Sequence, residues 1–171
     1  MPGTFTHANM RTGPAVIYFG GACLGVTLDE VEWTPETLSR SRHTARYGDA
    51  SVDFIHTGEK HTVKATLAEN SIAVLAEVLP EGATSGSTRY FGRVPGGKMS
   101  DHAKELRVRP VDRDAAGSAD EDLVIYKAVV TSCAPVGWTV ERERAFQVTF
   151  ESIVDDTKAD GKKIGYIRLG A

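Results

Sequence analysis

The sequence predicts a mainly β domain flanked by one helix, and three stretches carry that prediction. From 138 to 151, Trp138, Val140, Phe146, Val148 and Phe150 fall on one face, while Thr139, Glu141, Glu143, Ala145, Gln147, Thr149 and Glu151 fall on the other. That is the period-two pattern of a strand with one buried side, interrupted only by Arg142 and Arg144. Residues 123–131 are apolar on both faces and rich in β-branched side chains, which suits an inner strand covered on two sides. Cys133-Ala134-Pro135-Val136-Gly137 between the two supplies a turn that stops the ladder. Helical spacing occurs once, at 70–79, where Ile72, Leu75, Ala76 and Leu79 form a stripe behind an Asn70 or Ser71 cap and ahead of Pro80.

Taken in order, residues 1–13 are small and polar and read as an N-terminal arm. Ala15-Val16-Ile17-Tyr18-Phe19 and Ala22-Cys23-Leu24-Gly25-Val26-Thr27-Leu28 flank Gly20-Gly21 and predict a tight hairpin. The second strand should run on to Trp33, with a bulge or bend near Asp29 where the buried parity switches. At 34–50 the apolar pattern vanishes, which predicts a long loop carrying the chain's one basic cluster, Arg40, Arg42, His43 and Arg46. It reads either as a solvated loop or as a protruding element that meets an acidic surface on another copy. Residues 52–57 and 61–68 predict a second hairpin around Gly58-Glu59-Lys60, with His56 and His61 flanking its turn. No third ligand of known position joins these histidines.

Residues 83–103 form a polar connection, and 105–111 a strand with Leu106 and Val108 inward, Arg107 and Arg109 outward, and Pro110 marking an edge. The carboxylates from Asp112 to Asp122 resemble a calcium loop in composition only: Leu123 stands where the bidentate glutamate belongs, so a solvated acidic turn is expected. Residues 155–161 are a turn and 162–169 a short last strand.

The chain has 171 residues, enough for one domain with its own core, and a formal net charge of -3 without a basic footprint, which disfavours a nucleic-acid grip. There is no charged start followed by an apolar run and no stretch of about eighteen apolar residues, so a soluble protein without membrane insertion is expected. Cys23 and Cys133 are too few and too distant for a metal knuckle or disulfide framework and read either as buried free thiols or as a crosslink within or between chains. No nucleophile elbow, zinc motif, phosphate loop or dinucleotide fingerprint occurs, so neither catalysis nor a cofactor or metal is expected. Abundant strand, a long basic loop and arms at both ends instead suggest pairing with copies of the same chain.

Several of these stretches together resemble bacteriophage tail tube (major tail) proteins. They are Gly13-Pro14-Ala15-Val16-Ile17-Tyr18, Gly20-Gly21-Ala22-Cys23-Leu24-Gly25 and Val31-Glu32-Trp33-Thr34-Pro35-Glu36 at the start, and the strand-to-helix step at 67–79. Later come Tyr126-Lys127-Ala128-Val129-Val130, Phe146-Gln147-Val148-Thr149-Phe150-Glu151-Ser152, Asp155-Asp156 and Gly165-Tyr166-Ile167-Arg168. The resemblance covers most of the chain but not 83–103. It implies a β-sandwich or half-open β-barrel with a helix on its side, a fold shared with type VI secretion and contractile-particle tubes.

In function it implies hexameric rings stacked into a tube of the virion tail, assembled in the host cytoplasm. The lumen would conduct DNA and enclose the tape-measure protein, with a sheath protein as a further partner in sheathed tails. Residues 34–50 then correspond to a stacking loop, with Arg40, Arg42, His43 and Arg46 as inter-ring contacts, and 1–13 and 155–171 to arms. DNA must pass without sticking, so a lumen should be neutral or acidic. The wet face of Glu141, Glu143, Gln147, Thr149 and Glu151 is therefore the candidate inner wall, and 112–122 the candidate acidic patch for the basic loop. Two other readings are a capsid decoration or tail-completion protein and a small-molecule-binding β-barrel, the latter marked by a deep pocket with converging polar groups.

Overall fold

A computed structural model describes residues 14–43, 46, 50–69, 71–79, 82–90, 92, 95–136 and 145–168. Strands β1 (Ala15–Phe19) and β2 (Ala22–Val26) make the hairpin expected around Gly20-Gly21, whose φ angles of 61° and 85° are the left-handed values a two-residue turn demands. Their register slips between Ile17 and Tyr18, and Gly25, at φ 96°, absorbs the extra residue. Leu24 and Gly25 are consequently both buried, while Cys23 and Val26 face out.

The chain then bends at Leu28 and Asp29 rather than continuing to Trp33, and β3 (Glu32–His43) pairs with β4 (Ser51–Leu67) in one long hairpin. This corrects two expectations. Most of the predicted loop at 34–50 is strand, and Gly58-Glu59-Lys60 is not a turn but an uninterrupted part of β4. Gly58 pairs with Leu38 beside a register shift between Leu38 and Ser39, so the glycine accompanies a bulge. Because β3 is the last strand of the sheet and carries Pro35 in mid-strand, it occupies the edge position where a missing N–H is tolerated.

Helix α1 (Ile72–Val78) begins at Ser71, whose hydroxyl accepts the Val74 N–H at 3.2 Å. It buries Val74 and Val78, with Leu75 and Leu79 half-buried beside them, so the buried stripe is turned from the predicted Ile72, Leu75, Ala76 and Leu79. Arg89 closes the other end by donating to the Leu79 carbonyl and, at 2.8 Å, to Thr84. It sits on the small β5 (Thr84–Ser85) and β6 (Thr88–Arg89) hairpin within the connection expected to be irregular.

Strand β7 (Lys104–Pro110) lies between β1 and β8 (Leu123–Val136), not at an edge. Pro110 is accommodated because it is the last residue of its strand and pairs with Ala15 at the end of the ladder. A second short helix, α2 (Val111–Ala115), follows at once. Strands β8 and β9 (Ala145–Ser152) are the two facing strands that 123–154 predicts. Their ladder runs on through Pro135↔Phe146 and Val136↔Ala145, so the expected stop at Pro135 does not occur. Residues 137–144, with Trp138, Glu141 and Glu143, lie outside the described residues, as do 1–13.

The sheet order is β2-β1-β7-β8-β9-β4-β3. It curls until Thr27 bridges Leu67, with Leu28 N–H donating to the Thr66 carbonyl at 2.9 Å, so that β2 meets the end of β4. The result is a curled, half-open antiparallel sheet flanked by α1: the mainly β fold with a helix at its side is what the sequence predicts. Its core gathers alternate residues of β1, β4, β7, β8 and β9, among them Ile17, Phe19, Val63, Leu106, Ile125, Val148 and Phe150, closed by Leu24, Val74 and Val78. The Phe19 and Phe150 rings stand 5.3 Å apart and tilted by 52°.

The tail at 155–168 is docked rather than free, in contrast to the predicted arm. Asp155 is buried, its N–H donates to the Lys163 carbonyl at 2.8 Å, and β10 (Gly165–Ile167) pairs antiparallel with β8. A Cβ on Gly165 would lie 2.1 Å from the Val124 carbonyl oxygen, so only glycine lets β10 approach. Gly165→Ala should therefore cost about 1–3 kcal/mol and expose the Tyr126 amide, which donates to the Ile164 carbonyl at 2.9 Å. Hydrogen exchange of that amide, unchanged in the variant, would contradict the docking.

Candidate functional site

The long hairpin outruns the sheet. Strand β9 pairs with β4 only from Thr62 to Leu67, leaving residues 51–61 of β4 with β3 as their sole strand partner among the described residues. Side chains on this distal part have little to pack on: Phe54 is 65% exposed, and Leu38, Val52 and Ile55 are also exposed. A two-stranded ribbon buries little of its large apolar groups, and exposure of several together is unusual.

Three of the four predicted cations lie on this ribbon. Arg40 pairs across the hairpin with Ile55, Arg42 with Asp53 and His43 with Ser51, and Arg46 lies just beyond, all four exposed. Opposed residues of an antiparallel pair share a face, so Arg40 and Arg42 stand on one side with Asp53 and Ile55, and Ser41 and Phe54 on the other. The opposite end of β3 is acidic, with Asp29, Glu30, Glu32 and Glu36 all exposed. Glu32 pairs with Lys64 at 3.3 Å. The projecting element is thus charged negatively at its base and positively at its tip.

Of the predicted inner wall, Gln147 is exposed and Thr149 and Glu151 are half-buried, on the sheet face opposite Val148 and Phe150. Their neighbours on β4 are Thr66, Lys64 and Thr62. Both lysines nearby are neutralised, Lys64 by Glu32 and Lys60 by Glu151 at 3.0 Å. This described part of the wall is polar and has no unpaired cation among those lysines.

The stretch at 112–122 departs most from expectation. Asp122 is buried, not solvated, and Arg109 grips it with both arms of its guanidinium, Nε to Oδ1 and Nη2 to Oδ2, each at 2.8 Å. Arg109 also reaches Asp114 at 3.4 Å, and the Tyr18 hydroxyl donates to the same Asp114 oxygen at 2.7 Å. That bond to a carboxylate, helped by burial, pushes the phenol up to about 12. Arg113 holds Glu121 at 3.0 Å, and Ser118 donates to Asp120. These carboxylates are already engaged within the chain, so the patch expected to receive the basic element is occupied by its own cations. The pairing escaped the sequence because Arg109 and Asp122 are thirteen residues apart; a hairpin register matching Val108 with Leu123 would have set them opposite.

On the docked tail, Lys127 and then Thr157 bond the Asp155 carboxylate and hold it below the usual range. The cysteines are free: Cys23 is exposed, against expectation, and Cys133 is half-buried, which raises its thiol pKa. His56 and His61 both approach Glu59, each at 3.7 Å. Among the described residues no three His, Cys, Asp or Glu side chains are grouped to hold a metal, and no helix is long and apolar enough to cross a membrane.

No protein-family model matches the chain, and no curated protein does.

Proposed function

We propose that this chain is a structural subunit of a phage tail tube, which works by joining copies of itself into stacked rings around a β-lined lumen. The observation that carries the reading is the β3–β4 ribbon: it projects beyond the barrel, exposes Leu38, Val52, Phe54 and Ile55, and is acidic at one end and basic at the other. A surface that is not complementary to itself but to a displaced copy makes heterologous contacts, which propagate into rings or filaments. With 112–122 engaged internally, the acceptor for Arg40 and Arg42 becomes the base of β3 on the next copy, around Asp29, Glu30 and Glu36.

The polar face of Gln147, Thr149 and Glu151 supports a lumen role, because DNA passing it meets paired lysines that release few counterions. A ligand-binding barrel is less well supported: the interior is filled by Phe19, Phe150 and their neighbours, and the cleft of about 360 Å³ lined by His56, Glu59, His61 and Lys163 lies outside it. In such a tube the protein partners would be other copies, the tape-measure protein and, in sheathed tails, a sheath.

Negative-stain microscopy of concentrated protein should show rings or tubes. Arg40→Glu with Arg42→Glu should shorten them at about 10 mM salt, where charges interact over about 30 Å. An exposed pair is worth about 0.2–1 kcal/mol, a loss repeated at every subunit of a ring. Monodisperse single chains at high concentration would remove the proposal; tubes of unchanged length in the double variant would remove the electrostatic docking alone.

A further inference from the structure

The cleft between the ribbon and the docked tail has His56, Glu59 and His61 on one side and Lys163 on the other. Glu59 and His61 alternate with buried Val63 and so share the core-side face of β4. His56 joins them because the register shift opposite Leu38 and Ser39 leaves Thr57 unpaired and restores the parity. The three side chains thus meet on one face, beyond Thr62 where β9 leaves β4. His56 and His61 each bring Nε2 to 3.7 Å from a different oxygen of Glu59.

The His61 ring is engaged at both nitrogens. Trp33, on β3, donates its indole N–H to His61 Nδ1 at 3.3 Å, and the two rings stand 5.7 Å apart, tilted by 43°. An Nδ1 that accepts carries no proton, so the neutral ring holds its proton on Nε2, towards Glu59. In that tautomer Nε2 offers no lone pair to a metal, which needs the proton on the other nitrogen. Protonation reverses the Trp33 contact. Histidine side chains as a class gain their charge between pH 8 and pH 5, and an imidazolium donates from both nitrogens. Nδ1–H would then face the indole N–H, donor against donor, and the bond across the hairpin must break.

The surrounding groups set the balance. On β4 itself, Glu59 favours a charge on His61, and His56 competes for the same carboxylate. From the tail, Lys163 opposes it across the cleft, although Asp160 holds that ammonium at 2.8 Å. Strand β9 contributes Ser152, whose Oγ accepts the His61 backbone N–H at 2.9 Å, while its Glu151 is taken up by Lys60. Glu36 and Lys60 stand opposite each other on the other face of the hairpin. The carboxylate nearest the imidazole therefore draws the proton that the Trp33 bond excludes.

We propose that Trp33 and His61 form an acid-released latch: a neutral imidazole ties the indole N–H across the hairpin, and protonation of His61 frees it as a donor at the base of β3. An imidazolium still attracts the indole face, so the ring turns in place and does not leave. The latch lies within one chain. Only its consequence rests on the tube reading, in which the freed donor shares the base of β3 with Asp29, Glu30 and Glu36, the acceptor for the next copy. Indole N–H resonances, recorded at a dilution where only single chains are present, test it. The chain has two tryptophans, and the Trp33 resonance is the one that Trp33→Phe removes. From pH 8 to pH 5 it should move in one step from a bonded to a free position, together with the His61 ring resonances, while the Val63 and Val148 amides stay in place. A Trp33 resonance that does not move, or moves without His61, overturns the proposal. His61→Gln keeps an acceptor but gains no proton in this range, and should abolish the step; His56→Asn should leave it. A step that survives His61→Gln overturns the latch, and one lost in His56→Asn assigns the switch to His56 and overturns it too. Failure of the latch in single chains leaves the tube standing, and absence of tubes leaves the latch standing.

Discussion

Phe150→Ala is expected to remove about 3–5 kcal/mol of stability, a large share of the roughly 5–15 kcal/mol that holds a domain together. Phe150 is 0% exposed at the centre of β9, paired with Val63 on one side and Val130 on the other, and its ring meets Phe19 across the barrel. Alanine leaves a void between four strands bonded into a curved sheet, which can collapse only slightly. The measurement is urea unfolding at a dilution where only single chains are present, since association would add to apparent stability. With a slope of about 1–3 kcal/mol/M, the midpoint should fall by roughly 1 M or more at unchanged slope. Phe150→Leu should lose much less. A loss under about 1 kcal/mol for alanine would mean that the barrel is not packed around this ring.

Phe150 was also legible beforehand, and the reason is physical. A strand with one face in the core and one in water must alternate, and Phe146, Val148 and Phe150 do so against Gln147, Thr149 and Glu151. The inner β8 announced itself by being apolar on both faces, and the first hairpin by its two glycines. Strand β3 left no such mark. Both of its faces are wet, so its twelve residues have no apolar period, and a sheet edge even tolerates Pro35. Gly58 imitated a turn because a glycine beside a bulge and a glycine in a loop have the same local sequence.

The candidate site was legible in composition and not in shape. Arg40, Arg42, His43 and Arg46 stand out as a cluster, but that Arg40 and Arg42 ride on a ribbon with Phe54 on its other face depends on the β3–β4 register, which local sequence does not state. The last strand at 162–169 was legible and appears as β10, but its docking was not: what holds the tail is the backbone pairing of β10 with β8 and the Lys127–Asp155 bond at 3.0 Å, contacts across some thirty to forty residues.

Breaking the Arg109–Asp122 pair on one side should be nearly as damaging as Phe150→Ala. Asp122→Leu leaves the Arg109 guanidinium, 13% exposed, without the carboxylate that meets two of its nitrogens, and removal of one partner of a buried pair costs about 3–5 kcal/mol. Water can reach part of Arg109 and Asp114 still accepts from it at 3.4 Å, so the lower end of that range, about 3 kcal/mol, is expected. Arg109→Met alone strands the opposite charge, since the Asp122 side chain is 4% exposed and Arg107 lies 3.8 Å off, too far for a hydrogen bond. The double variant removes both charges and should recover most of the loss, giving a coupling of about 2–3 kcal/mol in a double-mutant cycle. The network also explains where the damage should appear first. Arg168 N–H donates to the Asp122 carbonyl, so β10 is anchored at the residue that Arg109 holds. Faster exchange at the Arg168 and Tyr126 amides, ahead of Val148 in the core, is the expected signature of Asp122→Leu. A cycle with no coupling would show that the pair is a surface contact and that β10 is held by its own ladder.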